Sequence, residues 1–117
     1  MRLVMLHVLV LVSLVAAPIP AAHAAGNVLT WTDNSSNEQN FNIERKAEAC
    51  AGGAAFAPLA TVGLNIVTFT DLAVVEGTTY CYRVSASNPA CTSAFSNTAD
   101  RSVPFTVPAP PSNLTVN

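Results

Sequence analysis

Histidine, lysine and tryptophan are nearly absent from this chain of 117 residues, which holds two, one and one of them. Both histidines, His7 and His23, fall within the first 24 residues. The remainder has no imidazole, which excludes Ser-His and Cys-His nucleophilic catalysis and the commonest zinc ligand. The three cysteines, Cys50, Cys81 and Cys91, form no C-x-x-C pair. The glycines make neither G-x-G-x-x-G nor G-x-x-x-x-G-K, so nucleotide binding has no basis. Charged residues are 10% of the chain, and five basic against seven acidic side chains leave a net charge of −2. That balance gives no electrostatic footprint for nucleic acid. Two of the carboxylates would serve a glycosidase only across a cleft that holds a sugar ring, and a chain this short seldom builds one. The expectation is no enzyme, no metal and no cofactor.

What the chain has in excess is apolar residues, at 50%, and 18 of them lie in residues 1–24. Arg2 precedes the run Leu3–Val15, Pro18 and Pro20 follow, and Ala22-His23-Ala24 closes the segment. A short basic start, an apolar stretch and a small-x-small site describe a cleaved signal peptide, residues 1–24. The run is short against the roughly 20 residues of a membrane span, and no cluster of Lys or Arg stops transfer after it. The expected location is secreted or periplasmic, with no membrane association after cleavage. The remainder carries Arg45, Lys46, Arg83 and Arg101 against seven carboxylates.

After residue 25 no apolar stripe repeats at helical spacing; strands alternate with turn formers instead. Val28–Thr32 is β-branched and aromatic, and Asp33-Asn34-Ser35-Ser36-Asn37 stops it. Phe41–Lys46 alternates apolar and polar. Phe56–Val62 is a weaker strand softened by Pro58, Ile66–Thr70 is strand-like, and Thr79–Ala86 is the clearest. Ala94–Val103 offers the last. In the Thr79–Ala86 strand, Tyr80, Tyr82, Val84 and Ala86 should face the core and Cys81, Arg83 and Ser85 solvent. Short strands with frequent turns leave no room for helical crossovers, so the sheets should be antiparallel and packed as a sandwich or small barrel. The expected core is Leu29, Trp31, Phe41, Ile43, Leu59, Val67, Phe69, Val74, Tyr80, Tyr82, Val84 and Phe95.

The segments Leu29-Thr30-Trp31-Thr32-Asp33-Asn34-Ser35, Phe41-Asn42-Ile43-Glu44-Arg45 and Thr78–Asn88 with Ser93–Asn97 resemble, in this order, the second, third and sixth strands and the start of the seventh of a fibronectin type III domain of secreted bacterial proteins. The resemblance covers residues 27–103. It implies an all-β, immunoglobulin-like antiparallel sandwich of seven strands without catalytic residues. It also implies structural roles for Trp31, Tyr80 and Tyr82, with the Tyr80 hydroxyl bonded to backbone near Val74. Only Ala25-Gly26-Asn27 precede Val28, so the first strand is missing. Residues 104–117 resemble a Pro-rich linker followed by such a first strand, Ser112–Val116. It is read as the opening of a following domain or as a strand docked on the open edge, in this chain or on a neighbouring copy.

Related domains pair a sixth-strand cysteine with one on the seventh strand, where Asp100 stands here. Within the resemblance, the expected disulfide is Cys50–Cys81 and the expected free thiol Cys91; the alternative is three reduced thiols. The loop containing Asn88, Pro89 and Thr92 sits where this fold carries recognition residues, with a plain surface loop as its alternative. Trp31 reads as a core residue or a sugar-stacking platform. Three functions stay open: a spacer or protein-binding module, a structural or adhesive module assembling through an open sheet edge, and a carbohydrate-binding accessory module of an extracellular hydrolase. The expected partner is an unknown protein or polysaccharide, with self-association through the edge strand.

Overall fold

A computed structural model describes residues 25–117. The signal-peptide reading of residues 1–24 lies outside the described residues. Six strands follow one another: β1 (Asn27–Thr30), β2 (Asn40–Lys46), β3 (Ala57–Gly63), β4 (Thr68–Asp71), β5 (Thr79–Ser87) and β6 (Ala99–Ser102). No helix occurs among the described residues, and so none long and apolar enough to cross a membrane.

The strands divide into two antiparallel sheets. One has two strands, β1 and β4, in the register Asn27↔Asp71 to Thr30↔Thr68. The other has four, in the order β3-β2-β5-β6. The chain changes sheet after β1, returns after β3 and changes again after β4, so consecutive strands are clipped across the core. This is an antiparallel β-sandwich of immunoglobulin-like architecture, as its sequence pattern leads one to expect. Of the seven strands implied, the first is absent among the described residues. The tail does not replace it on this chain: residues 104–117 form no strand, and Leu114 and Val116 are each 92% exposed.

Local sequence accounts for the central pair. In β2, Phe41 and Ile43 point inward and are buried, with Asn42 and Glu44 on the other face. β5 sets Tyr80, Tyr82 and Val84 against them, and Val103 closes the cluster beyond β6. Leu29, Trp31, Leu59, Phe69 and Val74 pack around it partly buried. Pro58 sits in β3, an edge strand, where its missing N–H breaks no ladder on the free side. The register between β2 and β3 slips at Ile43/Glu44.

Several expectations are corrected. Val67 and Phe95 are exposed by 38% and 44% rather than buried, since each lies outside the strands on a sheet margin. Cys81 and Ser85 are buried although they lie on the face of β5 away from the core. That face is covered: Cys50 is bonded to Cys81, and Phe56 and Phe95 lie against Arg83. The last strand starts at Ala99, not Ala94. Before it, the hydroxyls of Ser96 and Ser93 accept from the backbone N–H groups of Val84 and Ala86 at 3.0 and 2.9 Å. Side chains thus take the acceptor role of a strand's carbonyls, and the segment stays irregular.

Candidate functional site

The main recess lies along the edge of β1 that faces away from β4. β1 has β4 on one side and, among the described residues, no strand on the other. Trp31 N–H donates to Val67 C=O at 3.1 Å. Antiparallel pairing alternates, so Leu29 and Asn27 also face β4, and the N–H and C=O groups of Val28 and Thr30 point to the free edge. A groove of about 760 Å³ follows this edge. One wall is Asn27–Thr32, the floor is Tyr82–Val84, and the far wall includes Ser96, Asn97 and Ala99–Arg101.

Trp31 also lines a second, smaller groove of about 310 Å³ shared with Phe41, Val84 and Phe95. Its ring meets that of Phe41 at a centroid distance of 5.6 Å and 57°. The indole Nε1 is buried without a hydrogen-bond partner. Trp31 therefore packs against the core, as the first of its two readings has it, and also lines both grooves.

A polar network ties the thin sheet to the thick one. Asp71 at the end of β4 is 2% exposed. Its Oδ2 accepts from Arg45 Nη1 at 2.7 Å and from the Tyr82 hydroxyl at 2.9 Å, and its Oδ1 accepts from Ala73 N–H at 3.1 Å. Asn27 Nδ2 donates to the Tyr82 oxygen at 2.9 Å. Arg45 also donates to Ala73 C=O at 3.0 Å and lies 4.8 Å from the Tyr80 ring centroid. Burial pushes the Tyr82 hydroxyl up from 10.0 to about 12, against the hydrogen bond from Asn27, and the Asp71 carboxylate adds to the rise. The Tyr80 hydroxyl accepts from Val75 N–H at 3.1 Å, a bond to backbone near Val74 as the resemblance implies.

The outer face of β5 holds a second constellation. Cys50 and Cys81 are bonded at 2.09 Å, with their Cα atoms 5.0 Å apart. Arg83 Nη2 donates to Glu44 Oε1 at 2.7 Å, and its guanidinium lies between the rings of Phe56 and Phe95, 4.1 and 3.7 Å from their centroids. Lys46 caps the following loop by donating to Cys50 C=O and Gly52 C=O. Asp100 accepts from Cys50 N–H at 2.9 Å.

The loop of Asn88, Pro89 and Thr92 lies apart from both. Asn88 holds the loop itself, since its Oδ1 accepts from Ala90 and Cys91 N–H at 2.9 and 3.0 Å and its Nδ2 donates to Asn37 C=O. Thr92 bridges to Ser87. Pro89 and Cys91 are exposed, and Cys91 is a free thiol. Among the described residues, no three His, Cys, Asp or Glu side chains come together as a metal site would require. Three further carboxylates are engaged singly in local structure, Asp33 with Ser35 N–H, Glu48 with Ala54 N–H and Glu76 with the Thr106 hydroxyl, whereas Glu38 is buried with its Oε2 unpartnered. The Asp71 network and the Arg83 stack were not foreseen from sequence. No sequence signal marks the network, since Arg45 comes opposite Tyr82 only once β2 pairs with β5.

Comparison with known proteins places the fold. No protein-family model matches the chain. An amylopullulanase of Thermoanaerobacterium saccharolyticum is 32% identical over 84 residues, which is 69% of this chain. The twitchin kinase region from C. elegans, with segments named Fn31, NL, kin, CRD and Ig26, superposes with a TM-score of 0.57 at 23% identity over 69% of this chain. That likeness is one of fold: a β-sandwich of the fibronectin type III and immunoglobulin kind. The chain spans 6% of the amylopullulanase and 14% of the twitchin chain.

Proposed function

We propose that this chain is a non-catalytic module of an exported protein, which spaces its neighbours or presents a surface to a protein or polysaccharide. The observation that carries this reading is one of proportion: a match at 32% identity confined to 6% of a far longer enzyme is the relation of a module to a multidomain chain. The carboxylates add support. Asp71, Glu44 and Asp100 each anchor a strand or loop rather than facing one another across a cleft. The Cys50–Cys81 bond suits an oxidising compartment and hence export.

A second reading, a carbohydrate-binding accessory role, is favoured by Trp31 lining the groove and by the name of the amylopullulanase. One experiment separates the readings, because Trp31 is the chain's single tryptophan. Soluble pullulan is titrated while the Trp31 fluorescence is followed and reducing ends are assayed. The spacer reading predicts a flat titration and no reducing ends. A saturable change in fluorescence selects the accessory reading. Reducing ends formed in step with purified protein contradict both.

A further inference from the structure

We propose that the free edge of β1 takes the segment Ser112–Val116 of a second copy of this chain, completing the two-stranded sheet as a third strand. Three observations converge on it. The first is the edge itself. Val28 and Thr30 present two N–H and two C=O groups away from β4, beside a groove floored by Tyr82 and Val84. An edge without a partner strand among the described residues, next to a groove, is a template for an added strand.

The second observation is the segment. Ser112-Asn113-Leu114-Thr115-Val116 alternates, with Leu114 and Val116 on one face and Asn113 and Thr115 on the other, the pattern of a strand covered on one side. Leu114 and Val116 are 92% exposed on their own domain. The segment carries no charge that pairing would desolvate. Asn113 stands at φ 58° in the free tail, and pairing straightens it, a change of state that asparagine makes readily. In register, Leu114 enters the groove towards Trp31, while Asn113 and Thr115 stay in solvent beside the exposed Val28 and Thr30.

The third observation favours a second copy over the same chain. Val103 is fixed at the start of β5, where its N–H donates to Thr78 C=O and its C=O accepts from Gly77 N–H. An antiparallel partner for β1 must enter at the opposite end, beside Trp31. Between lie Pro108, Ala109, Pro110 and Pro111, a stretch that prefers an extended, stiff path of about 3.1 Å per residue and resists reversal. It carries Ser112–Val116 away from its own groove and towards that of a neighbour, and reciprocal exchange closes a two-fold dimer.

The test measures the mass of the full chain by sedimentation across an approximately hundred-fold range of concentration, together with amide hydrogen exchange at Val28 and Thr30. The expected result is a dimer that forms with concentration and slows exchange at both amides. The double variant Leu114→Asp, Val116→Asp and the variant Thr115→Pro, which removes a donor from the segment, should each weaken association more than about ten-fold. Both changes fall in the exposed tail, so near-ultraviolet circular dichroism should be unchanged. A monomer at every concentration overturns the proposal. So does association that survives the tail variants, or protection of Val28 and Thr30 in a monomer, which would assign the edge to residues of the same chain.

Discussion

The two sheets of this sandwich are unequal in what holds them. In the four-stranded sheet, β2 and β5 are each flanked on both edges, and both faces are covered. The inner face carries Phe41, Ile43, Tyr80, Tyr82 and Val84; the outer carries the disulfide and the Arg83 stack. In the two-stranded sheet, both strands are edges; Val28 is 62% exposed, and Val67 and Leu72, which flank β4, are 38% and 77% exposed. Its attachment rests on Leu29, Phe69 and the Asp71 network. A pair of strands alone is marginal in water, so the thin sheet borrows its stability from the thick one. The region with the least support is also the one with free backbone groups and a groove, where a partner has most to gain.

The largest expected effect breaks the thick sheet. Replacing Cys50 and Cys81 with alanine reopens a loop of sequence separation 31 and should lower stability by about 3–4 kcal/mol. Urea unfolding of the variant should lose both sheets together, since the thin one has no independent support. Next comes the join. Asp71→Ala strands the Arg45 guanidinium and the Tyr82 hydroxyl at the sheet boundary and should cost about 3 kcal/mol. Here the loss should fall first on β1 and β4, seen as faster amide exchange at Leu29 and Phe69 than at Ile43.

A smaller effect follows from Tyr82. Its folded pKa of about 12 lies above the 10.0 of the free side chain. The unfolded chain therefore gives up this proton first as pH rises, so the contribution is complete below pH 10.0 and is lost between 10.0 and about 12. Ultraviolet titration should show a tyrosine ionising near the upper value, and Tyr82→Phe should abolish that step while weakening the join by about 1–2 kcal/mol. The smallest effect sharpens the contrast from the outer face. Phe95→Ala removes one ring from the Arg83 stack and should cost about 1 kcal/mol or less, since the ring is 44% exposed. Denaturant midpoints should register it without any change at β1.

The strands that could be read from sequence are those whose alternation is set locally. Phe41–Lys46 and Thr79–Ala86 each announce a face by period two, and their pairing follows once the chain is a sandwich. Alternation names a face but not what covers it. Cys81 and Ser85 therefore read as solvent-facing, although residues 50, 56 and 95 are brought over that face from distant parts of the chain. Val103 is buried by the Gly77–Thr78 turn, a contact with no periodic signature. The Ser93 and Ser96 hydroxyls interrupt what composition alone presents as one long strand. Of the site, the open edge of β1 was an expectation from the resemblance, and among the described residues β1 pairs β4 alone, whereas the Asp71–Arg45–Tyr82–Asn27 network joins four strands and is visible only once they are packed.

The inequality of the two sheets is tested most directly by native-state amide exchange in dilute protein. The account predicts two classes: Asn42 and Ser85, opposite each other in the central β2–β5 pair, exchange only through global unfolding, while Leu29 and Trp31 exchange through a lower-energy opening that frees β1 and β4. A single class, with Leu29 and Trp31 as protected as Asn42 and Ser85 and responding identically to denaturant, would contradict it.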